Sequence, residues 1–167
     1  MIEIDLNRGA DWGGDIDWLH LSETCTIKAI ENSNYNQLNS LPLKFSISIN
    51  LSNNVQVHAL NKQYRNKDKP TNILSFPMLD QAALESASTN AMPEMLLGDL
   101  ILSYQLCSLE AEQKNITIIQ HFQHLIIHGI LHLLGYNHIE DIDADVMQAI
   151  EIKTLNDLGV DDPYEKG

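Results

Sequence analysis

The run His128-Gly-Ile-Leu-His132-Leu-Leu-Gly135-Tyr-Asn-His138 restricts its own folding more tightly than any other stretch of the chain. On an α-helix, residues four apart lie one turn above each other on the same face, so His128 and His132 can present ring nitrogens to a single ion. His138 cannot join them on a continuing helix. Six further residues at about 100° each carry it roughly 240° round the axis, so the chain has to turn back after His132. Gly135 supplies the turn, because glycine takes the left-handed conformation that ends helices without steric cost. A helix, a glycine stop and a returning loop bring three imidazoles to one point. Such a set suits one Zn²⁺ per chain, with another divalent transition metal as the alternative.

His-x3-His-x5-His with glycine at the eighth position has the spacing of the extended zincin motif, in which glutamate follows the first histidine. Gly129 occupies that slot here. A zinc peptidase uses the glutamate carboxylate to take a proton from water. Glycine can take none, and it is expected to leave room beside the ion for a phosphate. A peptidase stays open as the minor reading, if a carboxylate such as Asp99 reaches the site from elsewhere in the fold. His124 lies one turn before His128, but a ladder from 124 to 132 spreads its ligands over about 12 Å, too far for one ion. His124 is therefore expected either behind the ligands, supporting them, or in the pocket beside them, and is a candidate proton carrier. His20 and His58 belong to no constellation.

The segment HGILHLLGYNH followed by Ile139-Glu140-Asp141 resembles the signature of the YbeY family, bacterial metal-dependent hydrolases implicated in ribosomal RNA maturation. Leu60-Asn61, Tyr64-Arg65 and Lys69-Pro70-Thr71-Asn72-Ile73-Leu74-Ser75-Phe76-Pro77 resemble a second stretch of that family, and Leu97-Gly98-Asp99-Leu100 a third. Asn72 and Asn137 stand where many members carry Asp. The resemblance spans about residues 40–165. It implies a metal-dependent endoribonuclease, specific for single strands, acting with the small ribosomal subunit in 16S rRNA 3′-end maturation and ribosome quality control. His128, His132 and His138 would hold the zinc, and Arg65 matches the family's arginine. A guanidinium meets charge on phosphoryl oxygens through two parallel hydrogen bonds, so Arg65 joins the three histidines as a catalytic candidate. The rival is a ribosome-assembly factor that zinc stabilises and that catalyses nothing.

Net charge opposes an RNA partner: ten Lys and Arg against 23 Asp and Glu give −13, which repels a polyanion on average. The distribution is uneven. Lys62, Arg65, Lys67 and Lys69 fall together, opposed there only by Asp68, and make a local positive edge. Lysines at a helix C-terminus also complement its dipole, but the position directly before the PTNILSF block favours phosphate contact.

With 167 residues and 44% apolar content the chain suits one domain with its own core. It opens with no basic stretch leading into an apolar one, and holds no apolar run near the ~20 residues of a membrane span, so a cytoplasmic protein without membrane contact is expected. Cys25 and Cys107 read as reduced, buried thiols. Apolar alternation predicts strands at Ile2–Leu6 and Leu43–Leu51, and further strands are expected at Ile73–Phe76 and Leu96–Leu102. Helices are expected over about 16–34, with Ile16, Leu19, Cys25, Ile27 and Ile30 as the apolar face, then to about Arg65, from Ser103 to about Lys114, from Thr117 to Leu134, and over about 141–158. The order implies an α+β domain: a mixed four-stranded sheet packed with about five helices, one of them the zincin-like metal-site helix. Residues 79–95 are rich in Ala, Ser and polar side chains and carry Pro93; a mobile loop is expected there, with a lid as the alternative.

Overall fold

Along Lys44–Ser52 the side chains of Phe45, Ile47, Ile49 and Leu51 are wholly buried, while Lys44, Ser46, Ser48 and Asn50 between them are half-buried. That period of two makes a strand with one covered and one open face. In the computed structural model, which describes residues 1–87 and 94–165, it is β2, flanked in the sheet by β1 (Ile2–Arg8) and β4 (Glu94–Ser103), with β3 (Ile73–Pro77) outside β4. β1, β2 and β4 are parallel and β3 is antiparallel to β4. The mixed four-stranded sheet expected from the sequence is thus present. The described residues contain six helices: α1 (Trp18–Asn32), α2 (Asn54–Arg65), α3 (Gln81–Ser86), α4 (Tyr104–Gln113), α5 (Ile118–Leu133) and α6 (Asp141–Asp157).

Four of the five long helices start where a short polar side chain takes up an orphan backbone N–H, and α6, which follows Glu140, has no such cap. Asp17 accepts from His20, Asn53 from Gln56 and Ser103 from Leu106. Thr117 and Gln120 make a reciprocal capping box at α5. α2 stops at Asn66, which takes the left-handed conformation at φ 57°.

α5 runs through the centre of the core, against α1, α4, α6 and strands β3 and β4. Phe122, Ile126, Ile127, Ile130, Leu131 and Leu133 are wholly buried along it. At its N-terminal half Phe122 meets Trp12 and Trp18 edge-on, with ring centroids 5.8 and 4.7 Å away. Both indoles keep their N–H groups satisfied: Trp12 donates to the Ser52 carbonyl at 2.8 Å and Trp18 to the Trp12 carbonyl at 2.6 Å.

Three expectations need correction. Leu19 and Ile27 are largely exposed, and the buried stripe of α1 is Trp18, Ser22, Cys25, Thr26, Ala29 and Ile30. This stripe keeps helical spacing but uses small and hydroxyl side chains, which a search for apolar bulk passes over. Within 79–95, expected to lack structure, Gln81–Ser86 is a helix capped by Asp80, and Leu84 and Ala87 are buried in the core. Residues 88–93 of that segment, Pro93 included, lie outside the described residues. Lastly, Gly129 does not open onto vacant space. A Cβ there would sit 2.9 Å from both Ile73 Cδ1 and Leu100 Cδ2, so the missing side chain lets α5 approach the sheet.

Gly98 allows the second close approach. It follows a bulge in the β2–β4 ladder, where Ser46 pairs with Leu96 but Ile47 with Gly98. Its φ is +153°, and a Cβ would lie 2.5 Å from the Phe76 carbonyl oxygen. The two glycines therefore differ in what an added methyl meets. At Gly129 it meets flexible side-chain ends, and helix propensity returns about 1 kcal/mol for Gly→Ala; at Gly98 it meets rigid backbone. Gly98→Ala is expected to cost at least about 2 kcal/mol, roughly 5 °C or more in Tm, and Gly129→Ala much less. Thermal melts of the two variants by circular dichroism check the order.

Candidate metal centre

The loop after α5 is shaped by its own backbone. The Gly135 N–H donates to the His132 carbonyl and the Tyr136 N–H to the Leu131 carbonyl, both at 3.0 Å, while Gly135 takes φ +93°. This is the glycine-ended helix stop that the spacing predicts. The Asn137 side-chain oxygen then accepts from the Ile139 N–H at 3.2 Å, bending the chain around His138. The Tyr136 hydroxyl accepts from the Asn34 N–H at 2.9 Å, which ties the loop to the end of α1.

The result brings His128, His132 and His138 together, with one ligand atom from each lying within 4.8 Å of the others. The Nε2 atoms of His128 and His132 are 3.0 Å apart. Their opposite nitrogens are engaged elsewhere. His132 Nδ1 donates to the Tyr136 carbonyl at 3.0 Å, which leaves a lone pair on Nε2. His128 Nδ1 pairs with the Glu151 carboxylate. Burial, with His128 and His138 alongside, holds His132 down at about 4, so its ring is neutral at pH 7 as a ligand must be. Converging nitrogens, oriented rings and the neutral ring of His132 fit a metal ion, and these three residues can hold one.

Behind His128 lie Glu151 and Tyr164, which the sequence reading did not include. Glu151 of α6 is wholly buried. Its carboxylate faces His128 on one side and the Tyr164 hydroxyl on the other, with His124 Nε2 3.7 Å away. Burial pushes the acid upward, but hydrogen bonds from His124, His128 and Tyr164 hold it well below the ordinary carboxylate range. A signal existed: Glu151 sits four residues after Met147 and four before Leu155, both buried, so helical spacing puts it on the inner face of α6. Of the two positions expected for His124, the structure shows the one behind the ligands and not the one in the cavity lining. The ring lies 3.2 Å from the Tyr164 hydroxyl, and burial lowers its basicity.

A cavity of about 580 Å³ is lined by the three histidines together with Arg65, Lys67, Lys69, Asn72 and strand β3. All four site residues expected from the sequence therefore share one cavity. Arg65 donates from Nη2 to the Ser75 carbonyl at 2.6 Å and lies over the Phe76 ring at 5.1 Å. Asn61 donates to the Lys69 carbonyl at 2.9 Å and so anchors the basic loop. Lys62 is not part of the lining; it faces Asp68 at 4.0 Å. Among the described residues, Lys28, Lys44, Lys62 and Lys153 lie within ion-pair distance of a carboxylate and Arg65, Lys67 and Lys69 do not.

Asn72 bridges strand and helices: its amide donates to Glu110 at 3.0 Å, and Glu110 also bonds His121 at 2.8 Å. Asp99, the carboxylate considered for a peptidase, lines a groove on the other face of the sheet with Glu3, Lys44 and Glu94. Leu100, the next residue along β4, faces α5 at Gly129, and strand alternation turns Asp99 away. Cys25 and Cys107 are free and buried, and burial pushes both thiols up to about 12.

Comparison with known proteins agrees with the motifs. A family model described as Endoribonuclease YbeY matches residues 19–159. Proteins of that name from Rhizorhabdus wittichii and Zymomonas mobilis are 42% and 40% identical to the chain, each over 98% of it and over 97% and 93% of their own lengths. Another, from Erythrobacter litoralis, is 47% identical over 72% of the chain and 75% of its own length. The solution structure of a Thermotoga maritima protein shares the fold, with a TM-score of 0.55 at 21% identity over 99% of this chain and 100% of that one. On these matches and the motifs that carry them, the chain belongs to the YbeY family of endoribonucleases.

Proposed function

We propose that the chain cleaves single-stranded RNA internally, with Zn²⁺ held by His128, His132 and His138 and with Arg65 acting on the scissile phosphate. The observation that carries this reading is the shared cavity, in which three imidazoles and three cations that meet no carboxylate among the described residues line one space. When bound, the ion would supply Lewis-acid polarisation of a phosphoryl oxygen and activation of water. The chain's own side chains supply the rest. Arg65 has five N–H donors, and the Ser75 carbonyl takes one while the Phe76 ring fixes the guanidinium plane. The remaining donors can meet charge that builds on the phosphoryl oxygens. Lys67 and Lys69 attract the backbone on either side.

The substrate in this reading is ribosomal RNA, near the 3′ end of 16S rRNA, presented on the small ribosomal subunit in the cytoplasm. No helix among the described residues is long and apolar enough to cross a membrane. Three protein ligands are characteristic of catalytic zinc, whereas structural zinc takes four, which favours catalysis over a purely stabilising ion. Peptide hydrolysis lacks its base, since Gly129 abuts the sheet and Asp99 lies on the other face.

Metal binding comes first among the tests. Purified protein should carry about one zinc per chain, and His132→Ala should lose it; full occupancy in that variant by elemental analysis would remove these ligands from consideration. Arg65→Ala should retain zinc and lose about 10²-fold in cleavage rate, and Arg65→Lys should recover little, because an ammonium lacks the fork. Near-normal turnover by Arg65→Ala ends the role assigned to it. With Arg65, Lys67 and Lys69 as the phosphate contacts, log affinity for single strands should fall with log salt at a slope of about −2. Lys67→Glu with Lys69→Glu should weaken binding strongly, and Lys62→Glu should not. Titration of a fluorescent oligoribonucleotide at several salt concentrations reads all three.

A further inference from the structure

Glu151 poses an electrostatic problem that packing does not resolve. A wholly buried carboxylate is costly unless a partner charge compensates it. Among the described residues no Lys or Arg is one of its partners. Its contacts are His128 Nδ1, His124 Nε2 at 3.7 Å and the Tyr164 hydroxyl, which donates to Oε2. Tyr164 belongs to the segment that follows α6, and its hydroxyl also lies 3.2 Å from His124. One path of hydrogen bonds therefore runs from that segment, through a buried acid, to the back of a metal-ligating ring.

We propose that Glu151 and Tyr164 are positioning residues of the metal centre, and that the segment carrying Tyr164 sets metal affinity through the path Tyr164 to Glu151 to His128. The inference rests on the reading that His128, His132 and His138 hold zinc. Glu151 accepts from His128 Nδ1, which fixes the ring so that Nε2 offers its lone pair, and the carboxylate makes that nitrogen a stronger donor. Zinc on the far nitrogen supplies through the imidazole the positive charge that the buried acid lacks. Tyr164 holds the second carboxylate oxygen, so Glu151 cannot swing away from His128. Glu151 and zinc thus stabilise each other, and the acid should matter more to the loaded protein than to the empty one.

That asymmetry separates the proposal from a packing role. Glu151→Gln keeps the shape: the amide oxygen can still accept from His128 and the amide NH₂ can donate to the Tyr164 oxygen. Stripped of metal, Glu151→Gln should still fold, with a loss of stability too small to account for its loss of zinc. Its zinc affinity, measured by competition with a chromogenic chelator, should nonetheless fall about 10- to 100-fold. Tyr164→Phe should lose about 3-fold or more in affinity with its metal-free melting temperature little changed. Wild-type zinc affinity in both variants, or losses that only parallel a lower metal-free melting temperature, would overturn the proposal. If Glu151→Gln does not fold, Tyr164→Phe decides the matter. A wild type that binds no zinc in the same competition would remove the three-histidine reading and this inference together, a result distinct from variants that match a zinc-binding wild type.

Discussion

Close packing of α5 on the sheet is the constraint on which the site depends. The helix lies so near β3 and β4 that a methyl group on Gly129 would press into Ile73 and Leu100. His128, one residue before that contact, is thereby held near β3, whose Ser75 carbonyl and Phe76 ring hold Arg65. The distance between helix and strand therefore sets the width of the cavity that metal ligands and guanidinium share. A burial this complete also forces each polar side chain inside it to find a partner. His121 finds Glu110, His128 finds Glu151 and His132 finds the Tyr136 carbonyl, so the packing that builds the core also orients the rings.

What was legible in the sequence was what depends on near neighbours. Ser103 and Thr117 begin their helices where they can cap them, since a cap reaches only three residues forward. The three histidines lie within eleven residues and a single glycine stop, so spacing alone brought them together. Arg65 came from the family pattern rather than from spacing. Its neighbours in space, Ser75 and Phe76, are ten and eleven residues on and across a strand edge.

The features that escaped depend on tertiary contact. Gly129 read as an empty slot because the motif says only which side chain is missing, not which surface the vacancy faces. Asp99 read as a free carboxylate because alternation along β4 tells which residues share a face, and only the packed structure tells which face α5 covers. Glu151 comes from a helix that begins after the motif ends, and its acidic side chain hides an inner position from any search for apolar spacing. The stripe of α1 escaped for a related reason: Ser22 and Thr26 are wholly buried where bulkier residues were sought. In each case the side-chain type argued one way and its neighbours decided otherwise.

Charge raises the remaining tension, since a chain at −13 has to receive a polyanion. Distance resolves it. At physiological salt the Debye length is about 8 Å, so acidic groups further than this from the cavity are largely screened, while Arg65, Lys67 and Lys69 act at contact. Part of the acidic excess is also neutralised locally: Glu3 and Glu94 both face Lys44 on the open side of the sheet, 2.6 and 3.8 Å away. The lysines of the cavity rim have no such partner among the described residues, so their charge is left for phosphate. A body that repels and a rim that attracts select for RNA already brought close, because the unfavourable field is met on approach and the favourable contacts only on arrival.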